Sequence, residues 1–565
     1  MKSTLKVVII GGVACGPKTA ARLRRLHPEA EITLIERDSI VSYGACGLPY
    51  YVEGIFSRIN TLIETPVGVA RTPAFFDKAK GFKVLIRTEA IKIDRENKTV
   101  TIKNLENNET QSLSYDKLVL ATGGFAFKPP IPGIDLKNVW FMTHPDHADS
   151  LVKEIQDQGF KKVAMVGAGF IGIEMAEALT HRGLSVDLIE MADQIMPGVL
   201  DHDIATFASK HIRQKGVNLI LGERVSAILG DEKAKGVKTD KQETNADAII
   251  IAVGTRPNDN LAKEAGLECM PRGGIVVNSY CQTSDPNIYA GGDCAVNKYI
   301  DNILGSPMYV PLGSTANKHG RIIANHISGN TVPFGGISGT GIVKAFDFNI
   351  SRTGLSERQA REINLDIETT YWSGPDRPHY MPEAKPLLIK MIACKKTRKL
   401  IGVQAAGMGD VARRIDTSAA VIRFGGTLDE LADIDFAYAP PFSPPIDPLV
   451  TCAHILLNKL DGIANGISAY EAKKRIEQGD IILLDVRTPG EVESMQLPYQ
   501  STNIPLGALR EKADSLPKDK DIITFCKVSM RGYEAQRILN AKGFTRVFFI
   551  EGGIIGWPFE VKMLK

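Results

Sequence analysis

Short runs of aliphatic and β-branched residues, each closed by glycines and followed by a stretch with helical spacing, set the rhythm of the first half of the chain. Leu5 to Ile10 runs into Gly11 and Gly12, then into a helix through Arg25 and a second strand from Glu31 to Glu36. The same grammar returns from Val163 to Val166, through Gly167, a helix reaching His181, and a strand from Ser185 to Glu190. This repeat of strand, glycine turn and helix predicts two α/β units, one nested in the other. After residue 335 the pattern changes, and segments such as Leu387–Ile392 and Leu400–Gln404 predict an antiparallel sheet with helices. The proline-rich stretch Ala439–Pro448 cannot form regular structure, a helix is expected near 450–460, and Asp461–Gly466 marks a boundary. From Gly466 onward the chain reads as a compact α/β unit with strands at Ile481–Val486 and Asp521–Phe525.

A chain of 565 residues exceeds one core, so these segments are expected to form several units. The predicted organisation is one α/β unit from 1–150 and 255–335, a second nested within it at 151–254, a third at 336–455 and a fourth at 466–565. With 44% hydrophobic and 24% charged residues the chain is globular rather than fibrous or disordered. A net charge of +3 without a Lys/Arg block gives no reason to propose nucleic acid as a partner. No run of about 18 apolar residues occurs, so no membrane span is expected. The N-terminal strand lacks a small-residue cleavage site, so no signal peptide is expected and the location is read as cytoplasmic. The eight cysteines, at 15, 46, 269, 281, 294, 394, 452 and 526, form no C-x-x-C pair and no zinc-like spacing, so neither structural disulfides nor a metal is expected.

The glycine turns carry chemistry. Gly167, Gly169 and Gly172 supply a tight turn, close approach of a pyrophosphate and close helix–strand packing, and Glu190 at the next strand end suits a ribose 2′-hydroxyl. That carboxylate would repel a 2′-phosphate, which favours NADH over NADPH. The first fingerprint keeps Gly11, Gly16 and Glu36 but has Val13 at its middle glycine and Cys15 and Pro17 in the turn. Two later segments accompany it: Ala121 to Gly124 with Thr122 and Gly123, and Thr283 to Asp293.

Together these four segments resemble the flavoproteins with two dinucleotide domains. The resemblance implies that Asp293 bonds the ribityl chain of FAD, that Thr122 and Gly123 lie at the flavin, and that Gly254 joins the cofactor-binding glycines. It further implies two nested Rossmann-like domains, an α+β dimerisation domain and, at the C-terminus, a rhodanese-like α/β domain.

Cys46 follows the strand that ends at Glu36, and no second cysteine lies within five residues of it. A single thiol must cycle through a mixed disulfide with a small thiol, a persulfide or a sulfenic acid. Cys46-Gly-Leu-Pro-Tyr-Tyr51 resembles coenzyme A disulfide reductases and NADH-dependent persulfide reductases, within the pyridine nucleotide-disulfide oxidoreductases, and the resemblance extends to about residue 455. It implies a homodimer in which Tyr380 and Tyr438 reach the partner subunit's active site and bond the reacting sulfur. Coenzyme A needs cations for its phosphates, for which Arg22 and Arg25, one turn apart on the first helix, are candidates, and the resemblance adds Ser42 and Arg71. Ala45 departs from members with asparagine there.

In the last unit, Leu483 to Pro489, Asn503 to Pro505 and Cys526 to Arg531 resemble rhodanese, with Cys526 as sulfur carrier and Arg531 beside it. Backbone N–H groups and Arg531 would stabilise a thiolate or persulfide at a helix N-terminus. Ser529 replaces a frequent loop glycine, and Met495-Gln-Leu stands where Gly-His-Ile is common. The sequence therefore reads as an FAD enzyme that passes electrons from NADH to persulfide, polysulfide or coenzyme A disulfide or persulfide through Cys46. Two alternatives stay open: an NADH oxidase or peroxidase cycling a sulfenic acid, and a non-redox sulfur-relay or sensor protein.

Overall fold

The computed structural model describes residues 4–300, 303–305 and 307–563. It divides into two compact units, residues 1–189 with 223–337, and residues 190–222 with 338–565.

In the first unit a parallel sheet runs in the order Ile288–Ala290, Lys117–Leu120, Lys6–Ile10, Glu31–Ile35 and Lys83–Leu85. Its central strand is apolar from Val7 to Ile10 because both faces are covered there. Val7 and Ile9 pack with Leu23 of the Cys15–Leu26 helix and with Ile323. Val8 and Ile10 pack with Val100, Ile102 and Ile288 on the other face. Burying each such side chain is worth about 1.5–3 kcal/mol relative to exposure. A second parallel sheet places Lys162–Val166 between Ser185–Glu190 and Ala248–Ile251, with Val139–Phe141 beyond. In both sheets the central strand runs directly into a glycine turn and a helix, so the two turns open at the carboxyl ends of their strands, where open α/β sheets bind ligands.

In the second unit an antiparallel sheet runs Gly341–Ala345, Phe348–Gly354, Leu400–Gly407, Pro386–Cys394 and Ile367–Pro375. Residues 190–222 join this unit through a buried polar network. The Asp201 carboxylate accepts from Gln404 Nε2 at 2.6 Å and from the Glu357 N–H at 2.9 Å, while Lys390 Nζ contacts Asp203 and Glu357 at 2.8 Å each. The surrounding carboxylates raise the Lys390 ammonium well above its ordinary range despite its burial. A third parallel sheet follows: Gly466–Ile467, Val547–Ile550, Asp521–Phe525, Ile481–Asp485 and Thr502–Asn503. Leu484 and Ile522 pack on one face of it, Leu483, Ile523 and Trp557 on the other. The expected fold class, nested α/β dinucleotide units with an α+β and a terminal α/β unit, is what the chain adopts. Among the described residues, no helix is long and apolar enough to cross a membrane.

Candidate functional site

The first glycine turn closes by backbone contact. Gly11 has φ +107°, and a Cβ there would strike the Ala121 carbonyl; a Cβ at Gly16 would fall on the Gly11 carbonyl oxygen. The Glu36 carboxylate sits at this turn, accepting from the Gly12 N–H at 2.7 Å and the Asp38 N–H at 2.9 Å. Cys15 does not break the turn, because it is buried as the first residue of the helix. Thr122 Oγ1 donates to the Asn258 carbonyl at 2.6 Å, and Gly123 has φ +68°. Asp293 follows the Ile288–Ala290 strand, and burial raises its carboxyl. A narrow cradle that excludes side chains, with a carboxylate at the ribose end, fits the adenosine and pyrophosphate of a dinucleotide.

The second turn repeats the design. Gly167 has φ +104° against the Ala252 carbonyl, Gly172 packs on the Gly167 carbonyl, and nothing approaches within 4 Å of a Cβ at Gly169. That open position leaves room for a ligand's phosphates. Gly254 has φ +104°, with equally open space, and its carbonyl accepts from the Phe127 N–H at 2.9 Å. Glu190 closes the Ser185–Glu190 strand and accepts from the Ala192 N–H at 3.0 Å.

Cys46 sits in a single 3₁₀ turn, Ala45–Gly47, that leads into the Leu48–Glu53 helix. The residue is exposed, yet partial enclosure of its sulfur, and then the charges of Glu174 and Asp293, raise its thiol pKa. Glu174 was not singled out by sequence reasoning; its one signal is an acid inside the largely apolar Phe170–His181 helix. Burial and then Glu177 push it up to about 7, opposed by a bond from Tyr50. Ser42 and Arg71 are brought together, since Arg71 Nη1 donates to the Ser42 carbonyl at 2.8 Å and the Ser42 N–H donates to Gly12 at 2.7 Å. Arg22 donates to Asn325 Oδ1 at 3.0 Å from the middle of its helix, and Arg25 is exposed in the last turn.

In the second unit Tyr380 and Tyr438 are exposed, at 62% and 50%. The loops that carry them share one anchor: the buried Arg414 donates from Nη2 to the Asp376 carbonyl at 2.9 Å and to Asp447 Oδ2 at 3.1 Å. Phe442 and Ile446, in the proline-rich segment that follows Tyr438, are exposed as well, an apolar grouping of the kind that marks interfaces.

Cys526 is buried where the Asp521–Phe525 strand ends, ahead of the Met530–Ala541 helix. Arg531 in the first turn of that helix lies beside the Cys526 thiol and makes a two-point contact with Glu491. Arg531 is raised further above its ordinary range, and Glu491 is held down to about 2, in each case first by the bond between them. Sequence reasoning missed Glu491, although Thr488-Pro-Gly-Glu491 has the capping-box spacing that starts a helix. Asp485 and Arg487 pair with each other at 2.6 Å, and Asn503 Nδ2 caps the carbonyls of both, so those matched residues are scaffold.

Comparison with known proteins finds three family matches along the chain. Residues 5–320 match the pyridine nucleotide-disulphide oxidoreductase family model, residues 341–449 its dimerisation domain, and residues 468–558 a rhodanese-like domain. A CoA-dependent NAD(P)H sulfur oxidoreductase of Pyrococcus furiosus is 36% identical over 451 residues, 80% of this chain and 99% of that protein. Among solved structures, a NAD-dependent persulfide reductase from A. fulgidus superposes with TM-score 0.93 at 41% identity, covering 98% of this chain and all of that one. The reduced CoADR-RHD of Bacillus anthracis superposes with TM-score 0.92 at 35% identity, covering 98% of each chain.

Proposed function

The chain belongs to the pyridine nucleotide-disulphide oxidoreductase family, and we propose that it uses NADH to reduce a sulfur–sulfur bond at Cys46, with Cys526 handling sulfane sulfur. The substrates are a persulfide, a polysulfide, or the disulfide or persulfide of coenzyme A. The observation that carries this reading is the union in one chain of two different thiol sites. Cys46 is an exposed thiol with no second cysteine within five residues, in the unit that carries both glycine turns, and Cys526 is a buried thiol at a helix start with Arg531 beside it. The names of the Pyrococcus, A. fulgidus and B. anthracis relatives point the same way.

In this reading Gly11, Gly16, Glu36, Thr122, Gly123 and Asp293 would hold FAD, and Gly167, Gly169, Gly172, Glu190 and Gly254 would hold the nicotinamide dinucleotide. When bound, FAD supplies the two electrons, taken from NADH, that cleavage of a sulfur–sulfur bond requires. The Cys46 thiolate attacks the carrier sulfur of a persulfide R–S–SH, forming Cys46–S–S–R as HS⁻ leaves. Two electrons and a proton then restore the Cys46 thiolate and free RSH. The chain acts as a homodimer, and the partner subunit's Tyr380 and Tyr438 donate hydrogen bonds to the departing sulfur. Arg22, Arg25, Ser42 and Arg71 hold coenzyme A; Arg71 uses one of its five donors on Ser42, leaving others for a phosphate or carbonyl. A cytoplasmic setting keeps both thiols reduced between turnovers.

The test is steady-state NADH oxidation with coenzyme A persulfide, coenzyme A disulfide, polysulfide and oxygen compared side by side. The proposal expects the sulfur substrates to exceed oxygen clearly. Oxygen as the best acceptor would establish an NADH oxidase instead, and failure of NADH to reduce the flavin would establish a non-redox sulfur protein.

A further inference from the structure

The loop that follows Cys526 is shaped from outside its own sheet. Ser529 takes φ +106°, a backbone region that L residues rarely adopt. It precedes the Met530–Ala541 helix, yet its side chain does not cap that helix. Instead Ser529 Oγ accepts from the Gly552 N–H at 2.7 Å. The Gly552 carbonyl in turn accepts from Ser373 Oγ at 2.7 Å. Ser373 is buried and belongs to the Ile367–Pro375 strand of the antiparallel sheet, within the dimerisation-domain match.

The same strand fastens the preceding residue. The buried Glu551 carboxylate accepts from Thr370 Oγ1 at 3.1 Å and the Tyr371 N–H at 3.3 Å, and Lys459 Nζ lies 3.0 Å away. Gly552 fits flat on the Tyr371 ring, which a Cβ would meet at 2.6 Å. On the other side the Ile554 N–H donates to the Cys526 carbonyl at 2.9 Å and the Ile555 N–H to the Lys527 carbonyl at 3.1 Å. Residues 551–555 are thus fixed to the sheet on one side and to the sulfur loop on the other.

We propose that Ser373 is a positioning residue for Cys526: acting through Gly552 and Ser529, a strand of the dimerisation domain sets the loop in which Cys526 carries sulfur. This rests on the proposed sulfur-handling role of Cys526. If the Ser529 backbone relaxes from φ +106°, the peptide groups between Cys526 and Met530 turn, and the loop that would surround a thiolate or persulfide at Cys526 changes shape. Arg531 with Glu491 on one side of the loop, and Glu551 with Lys459 on the other, are charged groups packed around it, and the two variants leave them unaltered.

The experiment uses the full-length holoenzyme with Ser373→Ala and Ser529→Gly. Iodoacetamide alkylation of Cys526 is followed against pH by peptide mapping, with Cys46 as internal reference, and persulfide loading of Cys526 is followed with inorganic polysulfide as probe. Glycine tolerates φ +106° but removes the acceptor for Gly552, so Ser529→Gly tests the bond without forcing a steric change. In both variants alkylation of Cys526 at neutral pH is expected to slow by about tenfold. Polysulfide loading should slow to a similar degree. The Cys46 profile and NADH-driven turnover of preformed coenzyme A persulfide should stay as in the parent. A Ser373→Ala profile superimposable on the parent overturns the inference, as does a shift seen only in Ser529→Gly, which would place control of the loop within its own domain. Cys526→Ser, run alongside, separates the two levels: if it handles polysulfide as the parent does, the sulfur role of Cys526 fails rather than its positioning by Ser373.

Discussion

Arg531 meets Glu491 at two points, Nη1 to Oε2 and Nη2 to Oε1, each at 2.7 Å. Glu491 is itself fixed by Thr488, whose N–H and Oγ1 donate to it at 3.1 and 3.0 Å. The contacts that start one helix therefore hold the carboxylate, and the carboxylate holds the arginine that lies beside Cys526. A planar guanidinium held at both ends of one edge has a fixed direction, which a single contact would not give it.

Glu491→Gln removes the charge and one acceptor of this pair, and persulfide loading of Cys526 is expected to fall several-fold. The pair also has a defined pH signature. Glu491 is held down to about 2 by its bond to Arg531, below its ordinary 4.5, so its stabilising contribution is complete above about 4.5 and is lost as pH falls through about 2. The difference in Tm between parent and Glu491→Gln should accordingly be constant from pH 7 to 5 and shrink toward pH 2. A difference that grows on acidification would contradict the pairing.

At the nucleotide cradle, NADH is expected to bleach the flavin absorbance faster than NADPH by about tenfold or more, the ratio that ~1.4 kcal/mol of repulsion between Glu190 and a 2′-phosphate produces. Rapid-mixing absorbance with each nucleotide checks this. A clear preference for NADPH would remove Glu190 from the assigned role.

Tyr438→Phe is expected to slow the sulfur step by about 5- to 150-fold, the effect of losing a hydrogen bond of roughly 1–3 kcal/mol to a developing thiolate. Dimerisation, read by sedimentation, should persist, because the loop carrying Tyr438 is anchored through Asp447 and Arg414 rather than through the phenol. An unchanged rate would make Tyr438 structural.

Much of this was legible in the sequence because local rules and the fold agree. The strands around Gly11 and Gly167 are apolar on both faces, and their glycines are demanded by carbonyls a Cβ would strike, so a one-dimensional pattern sufficed. Cys526 and Arg531 were readable for the same reason, lying at a strand end and a helix start. What escaped depends on contacts distant in sequence. Glu491 lies 40 residues from Arg531 and looked like an ordinary helix cap. Ser529 stood out only as a missing glycine; its partner Gly552 comes from 23 residues downstream, and Ser373, which bonds Gly552, from another sheet. The membership of residues 190–222 in the second unit was likewise hidden, because Asp201, Gln404 and Lys390 meet only in three dimensions. Glu174 is an unremarkable letter until burial raises its carboxyl.

The two thiols are expected to act in series, with Cys526 collecting sulfane sulfur and Cys46 receiving it directly or on coenzyme A. Joining the sites in one chain raises the local concentration of the passed intermediate. Cys526→Ser should lose turnover with bulky or polymeric sulfur donors yet keep turnover of preformed coenzyme A persulfide. Equal activity of variant and parent on every donor would refute the relay.

The central claim is that a single thiol, Cys46, carries the reduction of sulfur after hydride transfer. Its most direct test is anaerobic turnover of coenzyme A persulfide by the parent and by Cys46→Ser, with NADH consumption and sulfide release measured together. The account predicts equal amounts of NADH oxidised and sulfide released by the parent, and no sulfide from the variant even though NADH still bleaches its flavin nearly as fast. Sulfide released by Cys46→Ser at the parent rate would contradict it.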